Sequence, residues 1–184
     1  MSRSTTTRPT PAASARSSVT LAARALGSLI LFAAALAGCA SYGPGDLRVG
    51  QSQADLRARM GEPTGHYALP GGGTEIEYAR GPMGKHTYMI ELDAAGLVKG
   101  WQQVLNEANF ESIAIAAPQA EVQSLLGRPS EKRVGWRGVG EVWSYRYDAL
   151  AFSCRWFQIW LVEGRVREAS YGSDPSCEDH RHDP

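Results

Sequence analysis

From Gln53 onward, apolar residues recur first at helical and then at strand spacing, and the succession occurs twice. In Gln53-Ala-Asp-Leu-Arg-Ala-Arg-Met60, Leu56 and Met60 fall on one helix face at i, i+4, as do Val122 and Leu126 in Gln119-Ala-Glu-Val-Gln-Ser-Leu-Leu126. Each segment ends on Gly-x-Pro, at Gly61 to Pro63 and at Gly127 to Pro129, which reads as a helix stop, with a left-handed glycine closing the last turn. Ser52 with Asp55 predicts a cap on the first helix, and Pro118 suits the first turn of the second. A further short helix is predicted over Glu107 to Ile113, capped by Asn106, with Phe110 and Ile113 inward.

Period-two runs follow each helix. In the first copy they are Thr74 to Ala79, His86 to Leu92 and, after a turn at Asp93 to Gly96, Leu97 to Leu105. In the second they are Gly140 to Tyr147, Phe152 to Val162 and, after a turn at Glu163-Gly164, Arg165 to Tyr171. The pattern predicts an α+β fold of two tandem units, each one or two short helices packed on a three-stranded antiparallel meander. A unit of about 60 residues has a marginal core alone, so two packed together make physical sense.

Aligning the central strands sets Tyr88, Ile90 and Leu92 against Phe157, Ile159 and Leu161 as the faces that meet the helices. The opposite face of the first copy carries Thr87, Met89 and Glu91, an ordinary solvent pattern. In the second copy that face carries Cys154, Trp156, Gln158 and Trp160. Two tryptophans on a nominally open face are either covered by the other sheet or the tail, or available as anchors for a partner. Trp156, Gln158 and Trp160 are the expected contact surface, with Met89 the weaker counterpart.

The first 38 residues do not read as globular. Their only charges are Arg3, Arg8, Arg16 and Arg24, and an apolar stretch from Ala25 to Gly38 follows, too short for a bilayer core that needs about 20 residues. Leu36-Ala37-Gly38-Cys39 resembles the lipobox of bacterial lipoproteins. That resemblance implies cleavage before Cys39, acylation of its thiol and, with Ala40 next, an outer-membrane address facing the periplasm. Residues 39 to 46 then read as an acylated tether, 47 to 105 and 106 to 172 as the two units, and 173 to 184 as a tail.

The chain holds 19 basic and 19 acidic residues, and removing the four signal arginines leaves 15 against 19. A mildly acidic mature part without a basic stripe argues against nucleic acid. In an oxidising compartment Cys154 and Cys177 are expected to pair as a disulfide, the alternative being two free thiols. A turn at Glu163-Gly164 sets Cys154 opposite Ser173 or Asp174, so a fold-back of the tail would bring Cys177 within reach. This arrangement would lash the tail near Trp156 and leave Trp160 the more accessible of the two.

No enzymatic motif is present, whether a Gly-x-Ser-x-Gly, a phosphate loop or a metalloprotease helix, and no cofactor is expected. His66 and His86 have no partner at ligand spacing. The run from Cys177 through His180 and His182 to Asp183 reads as a solvated end rather than a metal site.

The segments VGQSQADLRARMGEP followed by EIEYA, and NFESIAIAAPQAEVQSLLGRPSE followed by EVWSYRY, resemble the SmpA/OmlA (BamE-like) family of outer-membrane lipoproteins. That family carries one such unit, and the tandem is similar in architecture to β-lactamase inhibitory protein. The first resemblance implies a non-catalytic binding module in envelope assembly, partnered by barrel-assembly components or another periplasmic protein. The second implies an inhibitor of a periplasmic or foreign hydrolase.

Overall fold

Local chemistry at the helix ends starts the fold. A computed structural model describes residues 42–149 and 154–177. Cys39 and the signal-like segment before it lie outside these residues, as do His180 and His182.

The first helix, α1 (Gln53–Met60), opens on a complete capping box: the Ser52 hydroxyl accepts from the Asp55 N–H while the Asp55 carboxylate accepts from the Ser52 N–H. It closes at Gly61, φ 82° and ψ −162°. The corresponding helix α3 (Gln119–Leu126) closes at Gly127 with φ 74° and ψ −160°. Both stops have positive φ with extended ψ, a region reserved for glycine, rather than the left-handed helical conformation the sequence suggests. Pro118 sits at the N-cap of α3, one position earlier than expected. Between the two lies α2 (Glu107–Glu111), capped by the Asn106 side chain and ending two residues short of Ile113.

Helices α1 and α3 each introduce four antiparallel strands. The first sheet runs β1 (Gly65–Ala68), β2 (Thr74–Ala79), β3 (Thr87–Leu92) and β4 (Val98–Gln103); the second runs β5 (Glu131–Val134), β6 (Glu141–Arg146), β7 (Arg155–Val162) and β8 (Arg165–Ser173). Both are simple meanders in chain order. The expected three strands are present in each sheet, and a short edge strand, β1 or β5, precedes them. Gly65 and Glu131 stand at the same 66-residue offset as Gln53 and Gln119, so the edge strands belong to the repeated unit.

The helix-facing rows pack as the alternation predicts. Ile76, Tyr78, Ile90 and Leu92 share a core with Leu56 and Met60, while Phe157, Ile159 and Leu161 share one with Phe110, Val122 and Leu126. The opposite face of the first sheet departs from expectation. Thr87 and Met89 are each about 1% exposed, and Met89 belongs to the core of the second unit beside Leu126, Trp143 and Tyr145. The second unit covers that face. Gly127 approaches so closely that a Cβ there would stand 2.8 Å from Thr87 Cγ2. Met89 is therefore a packing residue at the seam between the units and offers no contact surface.

A buried carboxylate lies in the same seam. Glu77 is fully buried and accepts 2.5 Å hydrogen bonds from the Thr64 and Tyr67 hydroxyls. Burial first, and then the bond to Glu77, push the Tyr67 hydroxyl well above its ordinary range. Arg128 donates across the seam to the Thr64 carbonyl, and Arg146 donates to the Pro82 carbonyl. The layers run α1, first sheet, helices α2 and α3, second sheet. Among the described residues, no helix or further sheet packs over the far face of the second sheet.

Candidate functional site

Period-two alternation aims Trp156, Gln158 and Trp160 of β7 at that far face, beside Ser144 and Arg146 of β6 and Ser170 and Gly172 of β8. The three predicted contact residues meet different fates there.

Trp156 is 2% exposed. The guanidinium groups of Arg133 and Arg146 lie 5.1 and 5.2 Å from its ring, and its neighbour on β8 is Gly172, where a Cβ would come within 3.2 Å of the indole nitrogen. Arg146 is in turn held by Asp174 through bonds of 2.6 and 3.1 Å. Asp174 also accepts from the Ser176 N–H and hydroxyl. Burial alone would raise the Asp174 carboxyl; the bonds from Arg146 and Ser176 outweigh it and hold the group below the usual carboxylate range.

The tail is secured twice. The Asp174 N–H donates to the Cys154 carbonyl, and Cys154 is bonded to Cys177 with Cα atoms 5.9 Å apart. Cys154 thus lies beside Ser173 and Asp174, as the hairpin register predicted. Trp156 is buried beneath these tail and arginine contacts, so it anchors the C-terminus rather than offering a surface.

Gln158 is half-buried and donates to the Ser144 hydroxyl at 2.9 Å. Trp160 remains the more accessible tryptophan of the strand. Its indole N–H donates to the Val139 carbonyl at 2.9 Å, which pins the β5–β6 connection across the sheet. That connection is Gly135-Trp-Arg-Gly-Val-Gly140, a short 3₁₀ turn at Trp136–Gly138 between glycines. Gly135 and Gly140 are needed for close approach: a Cβ on Gly135 would stand 2.6 Å from the Trp160 nitrogen, and one on Gly140 would stand 2.0 Å from the Leu161 carbonyl oxygen.

The loop lifts Trp136 to 72% exposure, with Val134 and Val139 also exposed beside it. Trp136, Val142, Gln158, Trp160, Glu168 and Ser170 line a groove of about 390 Å³. Trp136 also walls an adjoining depression of about 440 Å³ that adds Arg133, Val134 and Arg137. The arrangement offers two aromatic walls, an amide and a hydroxyl floor, and carboxylate and guanidinium groups at the rim. Such a surface suits an apolar side chain flanked by polar backbone. Trp136 lines the groove and was missed by the strand alternation, although a tryptophan set among three glycines is a sequence sign of a presented ring.

Among the described residues, no three histidine, cysteine, aspartate or glutamate side chains gather at metal-binding distances. His66 lies on β1. His86 contacts Tyr42 and Asp148 at the other end of the molecule.

No protein-family model and no curated protein matches the chain, so the SmpA/OmlA resemblance rests on its motifs alone. Among solved structures, a chain from Streptococcus mutans described as a "putative beta-lactamase inhibitor protein" is similar at 14% identity and a TM-score of 0.30, over 80% of this chain and 96% of that one. A likeness at that level leaves the functional reading to the geometry of this chain.

Proposed function

We propose that this chain is an outer-membrane lipoprotein, anchored at Cys39 on the periplasmic side, that acts as a non-catalytic protein-binding module in envelope assembly. The observation that supports the binding role is the groove between Trp136 and Trp160. It lies on a sheet face over which no other described helix or sheet packs, and the aromatic ring at its edge is 72% exposed on a glycine-rich loop. The lipobox-like Leu36-Ala37-Gly38-Cys39 supports the anchor, and the SmpA/OmlA-like motifs support the assembly role.

The test places a photo-crosslinking residue at position 136 in the full-length protein and identifies adducts in intact cell envelopes by mass spectrometry. Barrel-assembly components are the expected capture. A hydrolase captured instead would replace assembly with inhibition. No adduct at 136, with the protein shown to be folded, would remove the groove as the binding surface.

A further inference from the structure

We propose that the β2–β3 hairpin tip around Met83, with Tyr42 and Lys85, lies against the phospholipid surface in which Cys39 is anchored. This rests on lipid attachment at Cys39. It goes beyond it by assigning a face of the folded body to the membrane.

The tether is much shorter than its Gly/Pro composition suggests. Tyr42 is fastened to the body: its hydroxyl lies 2.9 Å from His86 Nδ1 and accepts from the Lys85 N–H, and its carbonyl accepts from Arg80 Nε at 2.6 Å. The Tyr42 ring also stands edge-on to His86 at 5.4 Å. Pro44 and Leu47 are buried immediately after it. Three peptide units separate Cys39 from Tyr42, and at 3.8 Å per Cα step they span at most about 11 Å. The headgroup layer on one side of a bilayer is itself roughly 5–8 Å deep. An acylated Cys39 therefore keeps Tyr42 within about 11 Å of the anchored residue, at or just above the headgroup layer.

The residues at that end suit the position. Tyr42 is 50% exposed, Met83 at the hairpin tip is 65% exposed, and the Lys85 side chain is more than half exposed. An amphipathic ring, an apolar tip and a long basic side chain form the set that partitions to a membrane interface. Asp148 is the acid among them, and it faces Lys85 at 3.7 Å and His86 at 2.9 Å.

The binding groove lies toward the other end of β6. Asp148 and the Arg146–Pro82 bond mark the membrane end of β6, whereas the Trp136 loop joins its opposite end at Glu141. Five residue steps of about 3.3 Å separate the two ends, roughly 17 Å of strand. A partner would reach the groove from the aqueous side.

The full-length protein, processed in cells and purified, would be reconstituted into vesicles of phosphatidylethanolamine and phosphatidylglycerol that carry a nitroxide quencher at headgroup depth. An environment-sensitive fluorescent amino acid would replace Met83 or, as the control at the far end, Val134. Intact mass reports the acyl chains on the same sample. The expected result is quenching at position 83, none at 134, and loss of quenching at 83 in Tyr42→Ala with the acyl mass unchanged. An acylated sample unquenched at 83, or quenched equally at 134, overturns the membrane face and leaves the anchor standing. A sample without acyl chains overturns both.

Discussion

Arg146 and Asp174 form a two-bonded ion pair, 2.6 and 3.1 Å, with side chains only 8% and 6% exposed. Twenty-eight residues apart, they join the end of β6 to the turn after β8, directly over Trp156. Removing one partner leaves a buried charge, a change that typically costs about 3–5 kcal/mol. The Pro82 carbonyl still accepts from Arg146, so Asp174→Ala is expected near the low end of that range, read as a fall in the denaturant midpoint. An unchanged midpoint would mean that the pair is solvated in practice.

The same pair sets an acid limit. The Asp174 carboxyl is lowered in the folded protein, so the unfolded chain takes up its proton first as pH falls. Its contribution is complete above the unfolded value of about 3.9 and is lost as pH drops through the lower folded value. Wild type is expected to lose stability below about pH 4 more steeply than Asp174→Asn. Parallel stability curves between pH 5 and pH 2 would place the acid-sensitive group elsewhere.

Reduction of Cys154–Cys177 opens a loop with a sequence separation of 23, worth about 3 kcal/mol in the chain-entropy account. The Asp174 contacts to Arg146 and to the Cys154 carbonyl remain. The tail should therefore loosen beyond Asp174 while β8 stays paired. Limited proteolysis should cut near Cys177 after reduction, with Trp156 fluorescence little changed at neutral pH. Equal cleavage before and after reduction would show that the ion pair alone fixes the tail.

Gly127 is a joint between the two units as well as a helix stop. Its φ of 74° disfavours any side chain, and a Cβ would press on Thr87 and on the buried Glu77 carboxylate. Gly127→Ala combines backbone strain of about 1–3 kcal/mol with displacement in the seam. It should lower the melting temperature and also split the unfolding transition as the units uncouple. A mild shift in one cooperative transition would show that the seam can relax.

The parts of the fold legible in the sequence are those whose signal is local. The Ser52–Asp55 cap, the Gly-x-Pro stops and the alternation through Ile90 and Ile159 each depend on neighbours a few residues away. The edge strands β1 and β5 escaped because Gly-His-Tyr-Ala and Glu-Lys-Arg-Val carry no alternating apolar row, and only pairing with β2 and β6 makes them strands. Met89 was read as solvent-facing because its cover comes from Gly127 and the core of the second unit. The fastening of Tyr42 was hidden for the same reason, since His86 and Arg80 lie about forty residues onward. Trp156 and Trp160 look alike in the alternation, and they were separated correctly only through the cysteine register, which tied the tail to one of them.

The three tryptophans at the far face of the second sheet should then separate cleanly on substitution. Trp156 is enclosed by two guanidinium groups and the glycine of β8, so Trp156→Ala is expected to cost about 3–5 kcal/mol and to free the tail. Trp160→Ala removes the N–H bond to Val139 as well as a groove wall, so it should lower stability and also loosen the 135–140 loop. Trp136 contributes little packing at 72% exposure, and Trp136→Ala should leave stability within about 0.5 kcal/mol. If the groove is the contact surface, that last variant alone gives a folded protein with partner binding weakened at least tenfold, the range of an aromatic anchor. Thermal denaturation and a binding isotherm on the captured partner measure the two quantities separately. Unchanged affinity in Trp136→Ala would assign the exposed ring to the loop rather than to recognition.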